Sequence, residues 1–126
     1  MKPTRDYTFP LIVSILHPTD FSEASRTAFN HALRAALLAK SGFTLLHVAT
    51  GDKGEVMDFP GVRETLERWG ILPKDSPRSA VPQLGIRVKK VIASPRNAVE
   101  AVLGYMEDHT VDLIVLATNQ DAGRVA

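Results

Sequence analysis

Residues 11–16 read Leu-Ile-Val-Ser-Ile-Leu, apolar except for Ser14, and the chain then turns abruptly polar through His17-Pro18-Thr19-Asp20-Phe21-Ser22-Glu23. A short run that is apolar on both faces predicts a strand covered on both sides within a parallel sheet. Pro18, which has no ladder N–H, predicts its end. A helix is predicted from Asp20 or Ser22 to about Lys40. Asp20 and Glu23 read as a variant capping box at its start. Ala24, Ala28, Ala32, Ala35 and Ala39 form a small-residue stripe beside Phe29, Leu33 and Leu37, the face of a helix packed closely on a sheet. Ser41-Gly42 predicts the stop. Residues 43–48 predict a second strand, so the opening third reads as a βαβ unit with a right-handed crossover.

The rest of the chain continues the alternation. Residues 49–60 carry Gly51, Asp52, Gly54 and Asp58 and predict a loop. A short helix over 61–69 follows, with Val62, Leu66 and Trp69 at helical spacing and, with Ile71, assigned to the core. Pro73, Pro77 and Pro82 keep any long helix out of the connection 71–85. Residues 86–93 predict a third strand, and Arg87, Lys89 and Lys90 suggest an edge position. Ser94-Pro95 reads as the cap and first turn of a further helix ending near His109. Its buried face is predicted to be Ala98, Val99, Ala101, Val102 and Met106. Residues 112–117 predict a fourth strand. Residues 1–10 read as a loose polar arm, and no internal repeat is visible. The class is α/β, an open three-layer sandwich with a mainly parallel sheet, in one domain over residues 1–126.

Composition narrows the function classes. A chain of 126 residues is long enough to bury a core. The net charge is +1 with no basic block, which gives no argument for nucleic acid as a partner. With no cysteine, thiol chemistry and disulfides are excluded. No run approaches the ~20 apolar residues of a membrane span, and the residues after Lys2 and Arg5 do not make a signal peptide. The expectation is a soluble cytoplasmic protein with no membrane partner. His17 and His47 both fall near strand ends, but no third ligand is evident, so no metal is predicted. No G-x-S-x-G elbow, G-x-G-x-x-G turn or P-loop occurs.

The ordered set of segments resembles the universal stress protein family. The matching residues are His17-Pro18-Thr19-Asp20-Phe21-Ser22-Glu23 with the alanine-rich helix, and Leu45-Leu46-His47-Val48. They continue with Ser94-Pro95, Ala98-Val99-Glu100-Ala101-Val102, and Asp112-Leu113-Ile114-Val115-Leu116-Ala117-Thr118. The resemblance implies an adenine-nucleotide-alpha-hydrolase-like fold with strand order 3-2-1-4-5, strand 5 being absent from this chain. It also implies a crevice between the Asp20 loop and the loop after Ala117. By the same resemblance Pro18, Thr19, Asp20, Val48, Ala117, Thr118, Asn119 and Gln120 would face an adenine nucleotide such as ATP. Asp20 would contact adenine or ribose, and Val48 would offer its backbone to adenine.

ATP-binding relatives place Gly-x-x-Gly after strand four, because glycines let backbone N–H groups approach phosphates. Here those positions read Ala117-Thr118-Asn119-Gln120, and the following Gly-Ser or Gly-Thr falls beyond Ala126. The sequence is therefore expected to be cut short before the phosphate-binding motif and last strand. The functional expectation is a stress-response regulatory module with weak or no nucleotide binding, acting through self-association, as a homodimer, or through protein partners. The alternative is an ATP-binding switch at the carboxyl ends of strands one, two and four. No general base is evident, so enzymatic activity is expected to reach at most slow ATP hydrolysis.

Overall fold

A parallel sheet with strand order β3-β2-β1-β4 organises the protein. The computed structural model describes residues 12–48, 59–94 and 97–117. β1 (Ser14–Pro18), α1 (Glu23–Ala39) and β2 (Gly42–Val48) form the opening βαβ unit. α2 (Val62–Arg68), two 3-10 turns (Arg78–Ala80 and Pro82–Leu84) and β3 (Arg87–Ala93) follow, then α3 (Ala98–Asp108) and β4 (Leu113–Ile114). Every pairing is parallel: β1 on β2 with Ser14 opposite Gly42, β2 on β3 with Gly42 opposite Arg87, β1 on β4 with Ile15 opposite Leu113. The expected α/β class and family order are thus present through strand four, with β3 on the edge its lysines suggested.

Period-two alternation sorts the sheet residues between two helical layers. Ile15, Phe43 and Leu45 point to the α1 side and pack with Phe29, Leu33, Ala32 and Ala36 in the main core. Ala32 and Ala36 are fully buried, so the small-residue stripe does what its spacing implied. Thr44 points the other way, where its hydroxyl accepts a 3.4 Å hydrogen bond from Tyr105 of α3. Asp112 fastens the outer strand. One carboxylate oxygen accepts from the backbone N–H groups of Val13 (2.8 Å) and Ser14 (3.0 Å), and its own N–H donates to the Ser14 carbonyl at 2.9 Å.

Several boundaries differ from the sequence reading. β1 runs through Pro18, because alternate residues of a parallel strand bond to different neighbours and Thr19 resumes the ladder to the Leu46 carbonyl at 2.8 Å. α1 is capped by Ser22, whose hydroxyl accepts from Ser25 N at 3.1 Å, and not by Asp20. Its stop is Lys40 at φ 52, with Gly42 already in β2. Asn97 caps α3 by accepting from Glu100 N at 2.8 Å, displacing the Ser94 cap. The buried face of α3 is narrower than expected. Ala101 is buried, whereas Ala98, Val99 and Met106 are exposed. In the core around α2, Val62 and Leu66 are buried, Trp69 packs against them under Arg34, and Ile71 is exposed. β4 is shorter than the apolar run that predicted it.

Candidate functional site

The carboxyl ends of β1, β2 and β4 converge on the loop at residues 19–22, which is built almost wholly from its own side chains. Thr19 Oγ1 accepts from Phe21 N at 3.1 Å, and Asp20 Oδ1 accepts from Ser22 N at 2.9 Å and from the Ser25 hydroxyl at 2.7 Å. Asp20 N donates in turn to Ser25 Oγ at 3.3 Å. The two bonds that Asp20 accepts fall on one oxygen, Oδ1, of its exposed carboxylate. Hydrogen bonding from the Ser22 side chain holds this carboxyl below its ordinary range. Partial desolvation opposes that effect, and Ser25 and nearby backbone N–H groups reinforce it.

Phe21 adopts φ +66, a left-handed conformation rare for a bulky residue. Its ring stacks on His47 at 3.9 Å and meets Phe59 edge-on at 5.3 Å. His47 Nδ1 donates to the Thr19 carbonyl at 2.8 Å, tying the end of β2 to the loop. This aromatic cluster went unseen in the sequence because Phe59 lies far from both partners in the chain.

His17, on β1, ties this strand to the chain just after β4. Its Nδ1 lies 2.8 Å from the Val115 carbonyl, which can only accept, so Nδ1 carries the proton. Nε2 is buried and has no hydrogen-bond partner among the described residues. Burial pushes the imidazole pKa below 6.5, against the opposing pull of the Val115 carbonyl and the Asp20 charge. The folded state therefore binds fewer protons than the unfolded chain just below that value. Its contribution to stability is complete above about pH 6.5 and is lost as pH falls through the folded pKa. We expect His17→Asn, whose amide can still donate to Val115, to flatten the fall in thermal midpoint between pH 7 and 5. An unchanged slope would assign the acid sensitivity to another group.

Of the residues proposed from the sequence, Pro18, Thr19 and Asp20 lie at the end of β1, Val48 is the last residue of β2, and Ala117 lies three residues past β4. Thr118, Asn119 and Gln120 lie outside the described residues. Among the described residues, no group of three or more His, Asp or Glu could hold a metal ion, and no helix is long and apolar enough to cross a membrane.

The model of the universal stress protein family matches residues 13–124. The chain belongs to the universal stress protein family. That membership makes it a stress-response protein. Solved structures with the same fold include a universal stress protein family member from Burkholderia pseudomallei. It is 14% identical, with a TM-score of 0.55, over 92% of this chain and 96% of that one. A universal stress protein from Archaeoglobus fulgidus is 16% identical, with a TM-score of 0.51, over 87% and 79% of the two chains. The hypothetical protein MJ0577 is 25% identical, with a TM-score of 0.52, over 90% and 84%. No curated protein sequence matches the chain significantly.

Proposed function

We propose that this universal stress protein is a regulatory module that works by self-association, with nucleotide binding weak or absent. The observation carrying this reading is the apolar flank of α3. Val99, Leu103 and Met106 recur at helical spacing on one side of the helix and are 67%, 56% and 39% exposed. Leu116, just past β4, is a further large apolar side chain at the surface. Contiguous apolar exposure of this kind marks interaction surfaces. Each such side chain, once covered, contributes roughly 1.5–3 kcal/mol. Sedimentation equilibrium should therefore find a homodimer, and Leu103→Asp should weaken it at least tenfold while leaving the circular dichroism spectrum unchanged. A wild-type protein that stays monomeric at high concentration would overturn the reading.

A second reading, an adenine-nucleotide switch, draws support from the exposed carboxylate of Asp20, which follows β1 as Val48 ends β2 at the same end of the parallel sheet. Asp20 and Val48 are the residue types this reading needs for the base and ribose half of a nucleotide. Ala117 and Gln120, standing where glycines would admit phosphates, do not fit the other half. Tight calorimetric ATP binding, abolished by Asp20→Ala, would favour this reading over the first.

A further inference from the structure

A cleft of about 960 Å³ opens between α1, α2, the two 3-10 turns and β3. It does not contain Pro18, Thr19, Asp20, Val48 or Ala117, and Phe59 forms the wall between it and the aromatic cluster around Phe21. Its floor is apolar: Phe29, Val62 and Val81 are buried there, with Val88 half-buried. Its rim is basic. Arg63 is already engaged by Glu64 at 2.9 Å and Glu67 at 3.0 Å. Arg26, Arg68, Arg78 and Lys90 also line the cleft, and none of the four is ion-paired with a described residue.

The concentration of charge is local. The whole chain carries a net +1, so four cations around one concavity with no ion-pair partner among the described residues are not the by-product of a basic protein. They come from four separate elements, α1, α2, the first 3-10 turn and β3. A concavity lined by one sign of charge concentrates counter-ions of the other. A cleft of this size, with apolar residues at its floor and charged and polar residues around them, is on the scale of a small organic molecule rather than an extended polymer.

We propose that this cleft binds a small organic polyanion: an apolar, preferably aromatic, body carrying two or more phosphate or carboxylate groups. The body lies on Phe29, Val62 and Val88, and the oxyanions are met by Arg26, Lys90, Arg68 and Arg78. The guanidinium groups favour oxyanions that can accept two parallel hydrogen bonds.

The test uses the fluorescent trianion 8-hydroxypyrene-1,3,6-trisulfonate as probe and follows its anisotropy at low ionic strength. Saturable one-to-one binding is expected. It should weaken at least tenfold in the double variant Arg26→Gln/Lys90→Gln, fall with added salt, and persist in Asp20→Ala. Displacement by inorganic tripolyphosphate would identify phosphates as the preferred groups, and displacement by citrate would identify carboxylates. Either result supports the site. Failure of both to displace the probe, binding unchanged in the double variant, or loss of binding in Asp20→Ala would overturn the proposal.

Discussion

Replacing Phe29 by alanine should lower the free energy of unfolding by about 3–5 kcal/mol, the range for removing a large aromatic side chain from a packed core. Phe29 is 1% exposed, and its ring centroid lies 5.9 Å from Phe43 and 6.1 Å from His17. The cavity would open where α1 meets β1 and β2, with little freedom to close. β2 is hydrogen-bonded on both edges, and its neighbours Leu33 and Ile15 are fully buried. Native stabilities of small domains are of the order of 5–15 kcal/mol, so the loss is a large share of the whole. Urea denaturation is the measurement. Should the alanine variant fail to fold, Phe29→Leu, which keeps most of the volume, gives a smaller readable loss. A cost below about 1 kcal/mol for alanine would mean that the core collapses into the gap. Because Phe29 also floors the basic cleft, Phe29→Leu should weaken probe binding there more than it lowers stability.

Period and punctuation made the architecture legible. Apolar runs at 11–16, 43–48 and 86–93, separated by helical spacing, dictate parallel strands. The alanines of α1 set its distance from the sheet. The loop of Asp20 was legible too, as a polar break at a strand end, but its internal wiring was not. Ser22 takes the cap because its hydroxyl reaches Ser25 N, which leaves Asp20 to order the turn through Ser22 N and the Ser25 hydroxyl. Both residues are good caps by type, and only the backbone path chooses between them. On α3 the apolar periodicity is real, but it spans a wider arc than one sheet can cover. Ala101 and Tyr105 meet the sheet, and Val99, Leu103 and Met106 are left on the flank. A sequence pattern reports that a face is apolar without saying what covers it. The basic cleft was hidden for a related reason: Arg26, Arg68, Arg78 and Lys90 are scattered along the chain and meet only once the βαβ turns are closed.

Phe21 offers a second large effect, with an unusual order of variants. Its ring contributes burial against His47 and Phe59 together with stacking worth ~0.5–1.5 kcal/mol. Phe21→Ala removes both and should cost roughly 2–3 kcal/mol. Alanine keeps a Cβ, however, and so keeps the penalty of about 1–2 kcal/mol for a left-handed backbone at φ +66. Glycine removes that penalty but loses roughly 0.5–1 kcal/mol more chain entropy on folding. The balance predicts Phe21→Gly to be more stable than Phe21→Ala by about 0.5–1 kcal/mol, the reverse of the usual order of these two residues. Thermal unfolding of the pair would decide it, and an alanine variant equal to or above glycine would show that the turn relaxes out of the left-handed region. The strain has a location that matters. Turning Phe21 left-handed brings its ring down onto His47, which holds the Thr19 carbonyl, while Asp20 immediately before it remains exposed. The same backbone twist that closes the aromatic cluster therefore sets the exposed position of the acidic group, and the glycine variant, with the twist unforced and the ring gone, should keep the fold while loosening that position.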